Sequence, residues 1–156
     1  MFDLDHFQKT FSWYRKLSLD LLNQIPAKYL TEQLSTRSLS LRIQFVDLGD
    51  MELRVLKKTV GKKLLHTIAE PSKNASKKEI TDYINECHKL FLKEVKKNEG
   101  NGETCCNWYG RMKFDLSETL TFLIAHEAMH HGEILAFIQA KKIPMPKIFK
   151  DTWGFE

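Results

Sequence analysis

His126-Glu127-Ala128-Met129-His130-His131-Gly132-Glu133-Ile134, inside an apolar run that begins near Leu116, is the stretch from which the rest of the chain is read. Side chains four apart lie on one face of an α-helix, one turn from each other, so His126 and His130 can direct two imidazoles at a single metal ion. Neutral imidazole is the commonest protein ligand for first-row metals, and this spacing suits two bonds to one ion without naming it. At about 100° per residue, Leu116, Leu120, Leu123, Ile134 and Ile138 form one stripe. Phe122, Met129 and Phe137 widen it on the side where His126 and His130 fall, so both histidines are expected to face inward. His131 falls at the other edge, as a supporting or partly exposed group rather than a ligand.

The same letters read H-E-x-x-H, the zinc metalloprotease signature in which Glu127 would be the general base. Such an enzyme needs a third ligand, usually well downstream, and an edge strand for its substrate. Only residues 129–156 remain, and no convincing strand precedes the motif. The metalloprotease reading is therefore a subordinate alternative.

With 156 residues, 42% of them hydrophobic and 28% charged, the chain has the composition of one ordinary globular domain spanning 1–156. The net charge of +4 is carried partly by lysine doublets such as Lys57-Lys58 and Lys96-Lys97 near expected helix ends. Such doublets solvate a surface or offset the helix dipole, and they do not build the continuous basic face a nucleic acid would need. The start, Met1-Phe2-Asp3-Leu4-Asp5, lacks a signal-peptide pattern, and no segment approaches membrane-span length, so a cytoplasmic location is expected. Cys87, Cys105 and Cys106 show no disulfide-scaffold spacing and are expected as thiols.

Asp3 and Asp5 precede Phe7, Phe11, Tyr14, Leu17, Leu21 and Leu22, which predicts a first helix to about Gln24, ended by Ile25-Pro26. A second helix start is expected at Ser35 or Thr36, with one long helix over about 39–65. Its inward stripe is Leu41, Gln44, Leu48, Met51 and Val55, Gly49 admits a close neighbour, and Gly61 is a fraying point. Gln44 is unusual in such a stripe. Asp47 beside it can aim a carboxylate into the same interior, where the histidine pair supplies an ion to meet it.

Ser76 and Glu79 stand at capping-box spacing before Ile80, Tyr83, Ile84, Cys87, Leu90, Phe91 and Val95, the apolar face of a third helix closed by Lys96-Lys97. The connection to Phe114 is the longest irregular segment; its Trp108 and Tyr109 are expected to cover one end of the bundle or wall a pocket. Asp115 with Glu118, or Ser117 alone, caps the fourth helix, which ends near Lys141-Lys142. The tail with Ile148, Phe149, Trp153 and Phe155 has apolar surface to pack back. Four long helices and no strand predict an all-α four-helix bundle, a fold that builds metal sites between facing helices.

The whole pattern resembles the DinB (damage-inducible) and YfiT-like superfamily of four-helix bundles, which includes thiol-dependent S-transferases and mycothiol-dependent maleylpyruvate isomerases. His126-x-x-x-His130-x-Gly132-Glu133-Ile134 is similar to that family's H-x-x-x-H-x-G-Q-I, with Glu133 where glutamine is usual. The resemblance implies that His126 and His130 are metal ligands and that Gly132 permits close helix packing. The family's third ligand is a histidine in a second-helix segment resembling H-L-A-D-x-E. Here that segment is Asp47-Leu48-Gly49-Asp50-Met51-Glu52, which puts Asp47 in the ligand position.

The implied protein is a metal-dependent enzyme of DinB type that transfers a low-molecular-weight thiol to a small electrophile. Its divalent ion would be zinc or nickel, with manganese or iron as further options, held by His126, His130 and Asp47. His131, Gln44 and Glu127 are candidates for supporting or proton-transfer roles. The resemblance also implies a homodimer. The alternative from a different class is a non-catalytic helical dimer with a structural or vestigial metal site.

Overall fold

The structure is a computed structural model that describes residues 3–59, 68–97, 106–108 and 112–154. Its long helices are α1 (Leu4–Gln24), α2 (Leu41–Thr59), α3 (Lys77–Lys97) and α4 (Leu116–Ala140), and a short α5 (Lys147–Trp153) follows. Helix α1 packs on α3 and α4, and α2 also packs on α3 and α4, so the order around the bundle is α1, α3, α2, α4.

The ends follow side-chain chemistry. Asp3 accepts a hydrogen bond from the His6 amide at the start of α1. At the other end Lys77 Nζ donates to the carbonyls of Asn23 and Ile25, supplying partners for acceptors that a helix C-terminus leaves open. Ser76 with Glu79 and Asp115 with Glu118 form the two capping boxes expected for α3 and α4.

Helix α2 begins later than expected, at Leu41. Ser35 and Ser38 spend their hydroxyls on a local turn, in which the Ser35 amide donates to Ser38 Oγ and Ser38 Oγ to the Ser35 carbonyl. The Ser40 carbonyl then accepts the first helical bond, from Gln44. The far end of the expected helix, with Gly61, lies outside the described residues, as do Cys105, Tyr109 and Phe155.

The connection before α4 holds a strand pair that periodicity did not reveal. Strands β1 (Cys106–Trp108) and β2 (Met112–Phe114) pair antiparallel, with Asn107 opposite Lys113. Three residues per strand are too few to show an alternation above the noise of a polar loop. β1 lies against α2 and β2 against α4, so the hairpin sits beside the seam between those helices.

The core joins Phe7 and Phe11 of α1, Phe45 and Leu48 of α2, Ile84 and Phe91 of α3, and Leu123 and Phe137 of α4. The tail packs back through Phe149, which is buried, while Trp153 stays 57% exposed. Met129, expected to widen the stripe of α4, is also exposed. Among the described residues no helix is long and apolar enough to cross a membrane.

At Gly49 α2 stands close against side chains of α3. A Cβ there would stand 2.9 Å from Tyr83 Cε1 and 3.1 Å from Cys87 Sγ. The Tyr83 ring has little freedom to retreat, because its hydroxyl donates to Asp50. Gly49→Val is therefore expected to destabilise the protein by about 1–3 kcal/mol through overpacking, read as a lower urea midpoint with an unchanged m value. Gly132 behaves otherwise. A Cβ there would meet nothing within 4 Å, so the glycine does not serve close packing as the family resemblance implied.

Candidate metal centre

The α2–α4 seam carries the site. Asp47 points from α2 toward two successive turns of α4, where its Oδ2 lies 3.1 Å from His126 Nε2 and 3.3 Å from His130 Nε2. The two imidazole rings meet edge to face with centroids 4.6 Å apart. One ligand atom from each of Asp47, His126 and His130 lies within 4.8 Å of the others, the only such group among the described residues. The helical repeat places the histidines one above the other, and α2 brings the carboxylate to both.

The donor set suits a divalent cation. Tetrahedral bonds of about 2.0–2.1 Å put neighbouring ligand atoms about 3.3–3.4 Å apart, close to the observed carboxylate–imidazole separations. Two imidazoles and a carboxylate leave coordination positions open for water or substrate. His130 Nδ1 is buried with no hydrogen-bond partner, so its orientation rests on packing and Nε2 alone. Contact with His126 and then His130 holds the Asp47 carboxyl well below the usual carboxylate range, and Arg54, 3.6 Å away, adds a smaller contribution. The acid is therefore a ready anionic ligand. Phe122 lies beside His126, with ring centroids 6.2 Å apart, and Phe114 of β2 packs on Phe122.

A model of the DinB family matches residues 1–140. The chain belongs to the DinB family. None of the curated proteins compared with it matches. In this DinB protein the bundle brings Asp47 of α2 to the histidine pair of α4.

The other candidates go elsewhere. Gln44 is buried on the inward face of α2, where its amide nitrogen donates to the Leu39 carbonyl and its Oε1 has no partner. Glu127 and His131 do not join the metal group. They are buried together on the α1 side of α4, where Ser18 Oγ is 2.5 Å from Glu127 Oε1 and 2.7 Å from His131 Nε2. A zincin base must reach a metal-bound water. Glu127 instead faces Ser18 and Arg15, which gives the metalloprotease reading no support.

That grouping places Glu127, a candidate from the sequence, with Arg15, Glu52 and His88, which sequence reasoning missed. One side chain from each of the four long helices joins an ionisable cluster within the bundle: Arg15, Glu52, His88 and Glu127. Arg15 Nη2 lies 3.1 Å from Glu52 Oε1 and 3.4 Å from Glu127 Oε2, and His88 Nδ1 lies 2.7 Å from Glu52 Oε1. The signal was positional. Leu4, Phe7, Phe11, Arg15, Ser18 and Leu22 follow core spacing, as do Leu41, Phe45, Leu48, Glu52 and Leu56, so two charged residues occupy core positions of otherwise apolar stripes.

Burial shapes the protonation of this group. It pushes the Glu127 carboxyl up, against the opposing effects of Arg15 and the Ser18 hydrogen bond. It also brings His131 down from its ordinary 6.5 to about 4, with Arg15 and His130 adding to the effect, so the ring is neutral at pH 7. Cys87, expected as a small hydrophobe, is buried with its thiol pushed up to about 12 by desolvation.

A pH dependence follows for the metal-free protein. As pH falls below 6.5 the unfolded chain protonates His131, while the folded chain resists until about 4. Stability is thus lost across that window at about 1.4 kcal/mol per pH unit, roughly 3 kcal/mol in all. Urea unfolding of wild type and His131→Gln between about pH 7 and about pH 4 checks this. The variant is expected to show the shallower slope by one proton.

Proposed function

We propose that this DinB protein is a metal-dependent enzyme that transfers a low-molecular-weight thiol to a small electrophile. His126 Nε2, His130 Nε2 and an Asp47 carboxylate oxygen would hold one divalent ion, zinc or nickel before manganese or iron. The observation that carries the reading is the convergence of those three ligand atoms within 4.8 Å. A cation held with open positions favours the thiolate form of a bound thiol, which is the nucleophile in thiol transfer. The chain's own part is to orient the ion by two imidazoles fixed on one helix, and to supply one negative charge through Asp47. In the overall reaction a carbon–sulfur bond forms, the bond from carbon to its leaving group breaks, and the thiol proton departs with the leaving group.

The protein would act as a cytoplasmic homodimer on small molecules, with no nucleic acid or membrane partner. Gln44, whose buried Oε1 lacks a partner one turn before Asp47, is the supporting residue of choice. The test is a thiol-transfer assay using a chlorodinitrobenzene as electrophile, on protein stripped by chelator and reloaded with zinc or nickel. Turnover restored by metal and absent in Asp47→Ala supports the reading. Stoichiometric metal without turnover toward any tested thiol and electrophile would replace it with the structural dimer, and light scattering reports the oligomeric state in the same samples.

A further inference from the structure

Helix α4 carries polar groups on two sides. At about 100° per residue, positions 128, 132 and 135 point roughly opposite to 126 and 130, so what they line is separated from the metal centre by the helix itself. They line a cleft of about 360 Å³, between α1, α4 and α5. That volume is at the small end of the range for ligand sites. Tyr14 comes from α1, His131, Gly132 and Leu135 from α4, and Phe149 and Trp153 from α5. The family match ends at residue 140, so the α5 wall is built by chain beyond it.

The surfaces are largely aromatic. The Tyr14 ring is parallel to His131 within 7°, with centroids 5.9 Å apart, and Phe149 meets His131 edge-on at 5.7 Å. Among the described residues, no charged side chain lines the cleft. Gly132 leaves its share open, since even a Cβ there would meet nothing within 4 Å.

Beside the polar ends of Tyr14 and Trp153 the cleft is lined by His131, whose orientation is set from behind. The Ser18 hydroxyl donates to Glu127 Oε1, so its oxygen accepts from His131 Nε2–H at 2.7 Å. The proton of the neutral ring is then on Nε2, which leaves Nδ1 as an acceptor with no partner among the described residues. The imidazole, 6% exposed, is held by that bond and by the two aromatic rings.

We propose that this cleft is a second small-molecule site, separate from the metal centre, that takes a planar aryl alcohol. The ring packs among Tyr14, Phe149 and Trp153, and the aryl hydroxyl donates to Nδ1 of His131. A ligand with a net charge would find no counter-charge there, and an aromatic ether of the same shape would leave the acceptor unmet.

The probe pair is naphthol and methoxynaphthalene, which share a ring system and differ in the donor, titrated by calorimetry against the full chain. Wild type is expected to bind naphthol at one site per chain, with the ether about tenfold weaker for want of a hydrogen bond. Gly132→Leu, which places a side chain in the open space and favours the helix, is expected to weaken naphthol binding by more than about tenfold. His131→Phe should make the two ligands equal, and His126→Ala, on the far side of α4, should leave naphthol binding unchanged. Absence of saturable naphthol binding, equal affinity of wild type for both probes, or unchanged binding in Gly132→Leu would overturn the site. Loss of binding in His126→Ala would do the same by moving the ligand to the metal centre, and none of these results depends on thiol transfer.

Discussion

Replacing His126 with alanine is expected to abolish the stabilisation of this protein by zinc or nickel while leaving the metal-free fold nearly intact. The two halves of that expectation have different origins. In the metal-free protein His126 is at the edge of the bundle, 9% exposed at its side chain, and its removal leaves Asp47 with His130 and Arg54. The loss there is one partly buried hydrogen bond, about 1 kcal/mol. With metal the arithmetic changes, because a ligand bound only by the folded state at about 1000 times its dissociation constant stabilises by about 4 kcal/mol. In a chain of this size that corresponds to a rise in Tm of about 10 °C.

Thermal unfolding with and without metal, alongside metal content by atomic spectroscopy, reads both quantities in one sample set. Wild type should rise on metal addition and His126→Ala should not. An equal rise in the two proteins would remove the metal from the α2–α4 seam and with it the proposed activity.

The second large effect is expected at the bundle centre, far from any surface. Arg15→Met should destabilise the protein by about 3–5 kcal/mol, because it leaves Glu52 and Glu127 buried without their cation. Both carboxylates are 1% exposed or less, so water cannot replace the guanidinium. The triple variant Arg15→Met, Glu52→Leu, Glu127→Leu is expected to recover most of the loss, since well-packed apolar residues of similar size often match a buried ion cluster in stability. Arg15 is itself incompletely paired, with Nε and Nη1 lacking partners, which favours recovery in the triple variant. Urea midpoints for wild type, single and triple variants check this. A single variant as stable as wild type would mean that the carboxylates take up protons or water without cost.

Most of the architecture was readable from local pattern, and the limits of that reading are physical. Helix periodicity, capping boxes at Ser76 and Asp115, and the proline after Ile25 are interactions within a few residues, so the order of residues carries them. The expected helix start at Ser35 or Thr36 misled because a hydroxyl that can cap a helix can equally close a turn, as Ser35 does with Ser38, and which it does depends on the neighbouring chain. The hairpin beside the α2–α4 seam was missed because strands of three residues carry too little pattern.

The candidate metal ligands divide along the same line. The spacing of His126 and His130 is a property of one helix, and the chain's order of residues determined it before any folding partner was considered. Whether Asp47 would meet them, 79 positions away, depended on how α2 and α4 pack. Likewise Arg15 and Glu127 belong to different helices, and only the closing of four helices makes them neighbours and His131 the polar floor of an aromatic cleft. Local sequence sets which face of each helix is buried, because burial follows a repeat of 3.6 residues. Tertiary packing alone decides which buried polar groups face one another, because that pairing depends on distances between helices that no single repeat encodes.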